Sequence, residues 1–284
     1  MSKPPREPEP GRHHPRNTLN DLTGRDWLKF TKSWFICDSR RYRRNQVAEL
    51  HPARYPEELV TEFLQFFTKS GEWVLDPFCG SGATLIACRE QGRNGVGLEL
   101  AEKYAEISRS RLARTSGETA ATVLQGDARR LSDLDLPQFD FAITSPPYWD
   151  MLHHPRGGVK SAHQQRIARG LDQVYSGEPG DLGNIRDYGE FLEALGQVFD
   201  GCRAVVKPGK YLTVVIQNVR APSGEVLPLA WDLARRISQT WSFQGERIWC
   251  QNSKRLGIWG YPTTFVPNYH HHYCLIFRNS RPSG

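Results

Sequence analysis

The chain has 284 residues, 38% hydrophobic and 24% charged, with a formal net charge of +6. That length suits one α/β core with extensions, no apolar run approaches the ~18 residues of a membrane span, and the first 25 residues lack the apolar centre of a signal peptide, so a cytoplasmic protein is expected. Cys37, Cys79, Cys88, Cys202, Cys250 and Cys274 show no CxxC spacing and read as free thiols, not as a zinc site or a disulfide framework.

Residues 1–25 form a basic, Pro-rich tail with prolines at 4, 5, 8, 10 and 15, expected to lack order, and 26–284 form a single domain. The aromatic-rich stretch Asp26 to Phe35 is expected to pack near the ligand-binding end, as core or as ligand wall. Tyr55 to Lys69 reads as an amphipathic helix opened by Pro56-Glu57-Glu58, with acids in its first turn. Val74 to Thr84 then gives a strand, a glycine-rich turn and a helix from Ala83 to Glu90. Glycines at such a joint let the backbone approach a ligand, and the helix start offers N–H groups. The turn is neither a Gly-Lys-Ser/Thr phosphate loop nor a Gly-x-Gly-x-x-Gly turn. A second strand, Gly95 to Glu99, ends in a carboxylate 23 residues after Asp76, a placement that suits a ribose diol. A helix from Ala101 to about Arg114 leads to a third strand, Thr122 to Gln125, followed by Gly126-Asp127-Ala128. One acid at a strand end reads as a cap or turn residue; three in succession build a pocket along the carboxyl edge of a parallel sheet.

The apolar run Phe139 to Ile143 reads as a buried strand that stops at Ser145-Pro146-Pro147-Tyr148. Neither proline donates a backbone hydrogen bond, and both have φ fixed, so the turn is stiff and its carbonyls lack local donors. Such a turn can accept hydrogen bonds from a planar exocyclic amine while Tyr148 offers a face for a base. The alternative is an ordinary strand-ending Pro-Pro turn. Residues 151–184 have weak periodicity and read as a long loop. Tyr188 to Val206 is helical, Lys207-Pro208-Gly209-Lys210 turns into a strand from Tyr211 to Gln217, and Leu227 to Gln239 is a helix. Strands Phe243 to Cys250 and His272 to Phe277 close the sheet as a hairpin around Gln251 to His271. His270-His271-His272 alternates faces on entering a strand, so no metal site is expected.

Charge is uneven. From 61 to 150, 9 basic residues face 13 acidic ones; from 201 to 260, nine face three. Residues 151–170 hold four basic residues and no acid, and the first 50 hold 11 basic and 6 acidic, including Arg40, Arg41, Arg43 and Arg44. A polyanion would be drawn to the later half; a plain solvated basic surface is the other explanation.

On these motifs the chain resembles the S-adenosylmethionine-dependent amino-methylating DNA methyltransferases. Asp76 to Gly82 is similar to their cofactor loop, Glu99 to their ribose acid, Asp127 to their adenine-contacting acid and Ser145-Pro146-Pro147-Tyr148 to their catalytic tetrad. His51 to Val60 resembles the stretch that precedes that loop. The cofactor half comes first here, unlike the permuted order common among cytosine-N4 enzymes. The resemblance implies an α/β Rossmann-like methyltransferase fold: a mostly parallel seven-stranded sheet with a late antiparallel hairpin and helices on both faces. It implies S-adenosylmethionine bound by Asp76, Pro77, Phe78, Gly80, Gly82, Thr84, Glu99, Leu100, Asp127 and Ala128. A Ser-led tetrad implies the N4 amine of a flipped cytosine in double-stranded DNA. Adenine N6, an RNA amine, and a non-catalytic binding module are the alternatives. DNA contacts are expected from Trp149, Arg156, Lys160, Arg166, Arg169, Lys254 and Arg255, on recognition loops at 151–184 and 217–271. A cognate restriction endonuclease is a candidate partner, in a bacterial or archaeal, nucleoid-associated setting. Carbon-5 methylation needs a cysteine nucleophile, and Cys79 lies in the wrong loop for it, so it reads as structural.

The amine chemistry needs no metal and no covalent intermediate. The lone pair of an aromatic amine is delocalised, and accepting hydrogen bonds from both N–H groups, at the Pro146 carbonyl and the Ser145 hydroxyl, frees it for in-line attack on a sulfonium methyl. The base must leave the stack first, with Tyr148 receiving it.

Overall fold

The computed structural model describes residues 13–38, 55–149, 180–221, 223–254 and 256–280. Its strands are β1 (Trp34–Ile36), β2 (Trp73–Asp76), β3 (Asn94–Glu99), β4 (Ala121–Gln125), β5 (Phe139–Thr144), β6 (Val206–Ile216), β7 (Val219–Arg220), β8 (Val226–Leu227), β9 (Ser242–Cys250) and β10 (His271–Arg278). Its helices are α1 (Gly24–Phe30), α2 (Glu57–Phe67), α3 (Ala83–Glu90), α4 (Glu102–Ala113), α5 (Tyr188–Val205) and α6 (Leu229–Ile237), with 3-10 turns at Ala128–Asp133 and Leu182–Asn184. Eight strands join in the order β1-β9-β10-β6-β5-β2-β3-β4, and β7 with β8 makes a separate small hairpin. Among the pairings in the large sheet only those of β10 are antiparallel, so seven strands point their carboxyl ends to one edge.

The sheet matches the expected Rossmann-like architecture, late hairpin included, with one strand more than the seven expected. All six residues of β5 are buried, as a strand covered on both faces requires. On one face α2 presents Leu59, Val60, Phe63, Leu64 and Phe67 to α3 and the sheet. On the other, Leu131, Phe191, Phe199, Leu233 and Ile237 bring in the first 3-10 turn, α5 and α6.

The extra strand is β1. Asp26 to Phe35 does not pack near the cofactor-type strands; β1 pairs with β9 at the opposite edge, and α1 lies on α2 with Phe30 stacked on Phe66 at 3.8 Å. Arg247 holds this unit: its guanidinium lies 4.0 Å from the Phe30 ring and 4.3 Å from Phe35, and its Nη1 reaches Glu62 Oε1 at 2.8 Å. The tail expected through residue 25 ends earlier, because Asn20 is buried and its Nδ2 donates to the Phe66 carbonyl at 2.6 Å. Lys207 to Lys210 also differs from expectation. It is not a turn before β6 but a bulge within it, since pairing with β5 jumps from Phe139↔Val206 to Phe141↔Tyr211. Buried Asp140 pins the bulge, accepting from Lys207 Nζ at 2.8 Å and facing Lys210 Nζ at 3.3 Å. Among the described residues no helix is long and apolar enough to cross a membrane, and no three ligand-type side chains gather as a metal site.

Candidate active site

A cleft partly open to solvent lies at the carboxyl edge. Its wall combines the loop after β2 (Pro77, Phe78, Gly80), the end of β3 (Glu99, Leu100) and the start of the first 3-10 turn (Asp127, Ala128) with Ser145 and Pro147 after β5. The loop and the tetrad, 68 residues apart at Asp76 and Thr144, thus face one cavity.

Asp76 does not line it. Its carboxylate lies behind the loop, fully buried, where Oδ2 accepts from the Tyr55 hydroxyl at 2.8 Å and the Thr84 hydroxyl at 2.5 Å. Oδ1 accepts from the Thr144 hydroxyl at 2.6 Å and the Phe78 N–H at 3.1 Å. Burial raises its pKa, and these four bonds oppose the rise. The role expected for Asp76 is therefore corrected: it ties β2, α3 and the residue next to Ser145 into one unit. Thr84, spent on Asp76, is buried as well. Gly82 also turns away from the cleft. Its φ is +82°, and a Cβ there would stand 2.2 Å from Ser108 Oγ. That close approach of α4, with Arg111 donating to the Ser81 carbonyl, explains this glycine.

Glu99 sits on the wall with both oxygens engaged: Oε2 accepts from Gly80 N–H at 2.9 Å and Oε1 from Ala101 N–H at 3.0 Å. Burial, aided by Asp76 and Asp181, pushes its pKa up to about 7 against those two bonds. Each oxygen keeps a further acceptor site. At Asp127 burial works upward too, but the Arg129 side chain and backbone outweigh it and hold the carboxyl below its usual range. Arg129 Nε lies 3.0 Å from both oxygens.

Within the tetrad, Ser145 and Pro147 line the cleft, whereas Pro146 and Tyr148 are buried. Burial pushes the Tyr148 hydroxyl up to about 12, although its hydrogen bond with Ser145 pulls the other way. Its ring lies 6.5 Å from His272, which stacks on Trp249 at 4.6 Å. Burial takes the His272 imidazole down to about 3, so it is neutral at physiological pH. Trp149 is not a free stacking face: its indole N–H donates to the Arg186 carbonyl at 3.2 Å and its ring meets Tyr188 edge-on. Cys79 is buried and its thiol is pushed well up, which disfavours a thiolate.

Lys254 is exposed on the β9–β10 loop, its Nζ donating to the Tyr269 carbonyl at 2.7 Å. Arg156, Lys160, Arg166, Arg169 and Arg255 lie outside the described residues. Asp181 and Tyr104 are among the wall residues that escaped sequence reasoning. Asp181, at the end of the 151–184 segment, caps the second 3-10 turn by accepting from Gly183 N–H at 2.9 Å; Asp-x-Gly was its available signal. Tyr104, on α4, carried none beyond its helical spacing.

Residues 7–110 match a family described as DNA methylase. Over that stretch the chain is similar to the DNA methylases. The matched stretch contains the loop from Asp76 to Gly82 and ends before the tetrad. Among curated proteins the chain is 42% identical over 65 residues to Type II methyltransferase M.Cfr9I of Citrobacter freundii, covering 23% of this chain and 22% of that one. It is 41% identical over 63 residues to M.MthZI of Methanothermobacter thermautotrophicus, covering 22% and 18% of the two chains. It is 39% identical over 62 residues to M2.DpnII of Streptococcus pneumoniae, covering 22% and 23%. The likeness thus spans about a fifth of each of these relatives.

Proposed function

We propose that the chain transfers a methyl group from S-adenosylmethionine to the exocyclic N4 amine of a flipped cytosine in double-stranded DNA. One observation carries this reading: Ser145 and Pro147 open onto the same cleft as Phe78, Glu99 and Asp127, so an amine on the tetrad and a nucleoside on the acids share one cavity. The wall residues fit the cofactor. Glu99 retains acceptor capacity for two ribose hydroxyls, and Phe78, Leu100 and Leu182 supply apolar surface for an adenine. The carboxylates of Glu99, Asp127 and Asp181 make the wall acidic, which suits a cationic sulfonium.

When bound, S-adenosylmethionine supplies an electrophilic methyl on a positive sulfur. The protein's share is positioning. The Ser145 hydroxyl and the Pro146 carbonyl accept from the amine N–H groups, which frees the nitrogen lone pair. Asp76, bonded both to the loop and to Thr144, fixes the distance between the two halves. A Ser-led tetrad favours cytosine N4 over adenine N6. DNA is met by residues 151–184 and 217–271, within a single domain after the N-terminal tail. The same reading includes a cognate restriction endonuclease as partner and a place on the nucleoid.

The test is expression in a host free of DNA methylation, followed by mass spectrometry of the digested genome. N4-methylcytosine, reduced with Ser145→Ala, is expected. N6-methyladenine alone would reassign the base, and an unmodified genome would overturn the activity.

A further inference from the structure

Five of the large exposed apolar side chains fall within ten residues of the β9–β10 connection: Leu256, Ile258, Trp259, Tyr261 and Phe265, with Phe265 88% exposed and Tyr261 82%. Burying such groups is favourable, and a cluster left in water marks a surface that meets something. The connection is braced in this form. Asn268 Nδ2 donates to the Gly257 carbonyl at 2.9 Å, while its Oδ1 accepts from Gly257 N–H at 2.8 Å and from the Trp259 indole at 3.1 Å. Gly260, at φ +70°, closes a tight turn in which Thr263 N–H and Thr264 N–H both reach its carbonyl. A Cβ at Gly260 would stand 2.2 Å from the Thr264 carbonyl oxygen. Tyr261 and Phe265 are therefore held out on a preformed turn.

Position and charge say what the turn meets. Cys250 and His271, which bound the connection, lie at the sheet edge that carries Thr144 and the tetrad. Trp249 and His272, at its base, stack on one another and lead to Tyr148. From Gln251 to His271 the sequence has Lys254 and Arg255 and no Asp or Glu. An apolar tip on a connection with no carboxylate of its own, its Ser253 N–H and hydroxyl engaging the one that Asp38 brings to its base, suits a polyanion whose interior is apolar and stacked, and duplex DNA is such a ligand. An apolar side chain pushed between base pairs offsets the cost of unstacking, which is the cost incurred when a base is taken out of the duplex.

We infer that the turn Gly260 to Phe265 is a wedge that enters the duplex and occupies the gap left by the extruded base, with Tyr261 and Phe265 as the inserted side chains. The inference rests on the proposed methylation of DNA and adds the device that makes extrusion favourable.

The experiment measures binding of the full chain to a short fluorescein-labelled duplex containing one abasic site and to the intact duplex of the same sequence. The abasic site mimics the emptied position, so the wild-type chain is expected to bind it about tenfold more tightly, the scale of one lost stacking contact. Tyr261→Ala/Phe265→Ala, at two exposed positions, should bind both duplexes alike with an unchanged circular dichroism spectrum. Equal binding of the two duplexes by the wild type, or a preference that survives the double substitution, would overturn the wedge. So would a wild-type dimer that the substitutions dissociate without any abasic preference, which would assign the patch to a second copy. Labelled methyl incorporation from S-adenosylmethionine is measured on the same samples. Incorporation without abasic preference sinks the wedge alone, whereas abasic preference without incorporation supports the wedge and sinks the methylation.

Discussion

Replacing Glu99 by Gln should change how stability and cofactor affinity depend on pH. In the folded protein burial lifts the Glu99 carboxyl from 4.5 to about 7. A carboxyl raised on folding contributes stability that is complete below its unfolded value and lost as pH rises through its folded one. At about 1.4 kcal/mol per pH unit that rise makes roughly 3 kcal/mol, and about 2–3 once partial solvent contact is allowed. The wild-type chain should therefore lose about 2–3 kcal/mol of stability between pH 4.5 and 8 from this group. Glu99→Gln should lack that component. Gln keeps one of the two amide contacts and sets its NH₂ against the other, so its curve is offset throughout, and the difference in slope is the measurement. Urea denaturation at half-unit steps of pH gives both slopes. Ribose hydroxyls donating to Glu99 favour its ionised form, so S-adenosylmethionine binding at pH 6 should release a proton, countable by calorimetry in two buffers of different ionisation enthalpy. Parallel stability curves would refute the pKa rise, and binding with no proton released would refute the ribose contact.

Asp76→Ala strands two buried donors, the Thr144 hydroxyl and the Phe78 N–H, whereas the Tyr55 and Thr84 hydroxyls, 2.5 Å apart, still satisfy each other. At ~1–3 kcal/mol per orphaned donor the loss should be about 2–6 kcal/mol by urea denaturation, and a loss under about 1 would contradict the hub. Gly82→Ala should lower stability by about 1–3 kcal/mol through its left-handed φ and the Ser108 clash. Adding Ser108→Ala should recover part of that loss, and no recovery in thermal unfolding would locate the strain elsewhere. Ser145→Ala should slow methyl transfer about ten- to a hundredfold while calorimetric affinity for S-adenosylmethionine stays unchanged. Tyr148→Phe isolates the hydroxyl without opening a cavity, and its fold should persist.

Long periodic segments were legible from sequence. The all-apolar run of β5, the strand–turn–helix through Asp76 and Ala83, and the three acids at strand ends each placed an element within a residue or two of where it stands. What failed to read was direction and distant support. An acid at the end of β2 says where the carboxylate begins, not that Tyr55, Thr84 and Thr144 converge on it from three other elements. Trp34-Phe35-Ile36 is too short to show a strand's period; its pairing depends on Arg247 and on the Trp249 indole donating to the Cys37 carbonyl, both more than 200 positions away. Pro208-Gly209 has the composition of a turn, and the Asp140 contacts with Lys207 and Lys210, together with the Gly209 N–H donating to the Asn279 carbonyl, keep it within a strand.

The eighth strand sets a length. Eight strands leave seven gaps, each about 4.8 Å, so the edge from β4 to β1 runs for roughly 34 Å before twist is allowed for. That is close to one helical turn of B-form DNA, about ten base pairs. The strands β1, β5 and β9 end at this edge, at Ile36, Thr144 and Cys250. A duplex laid along it would meet the tetrad near mid-turn and β1 toward one end. On the proposed function, protection from nuclease by one molecule should extend over little more than a single turn, with the modified base near its middle.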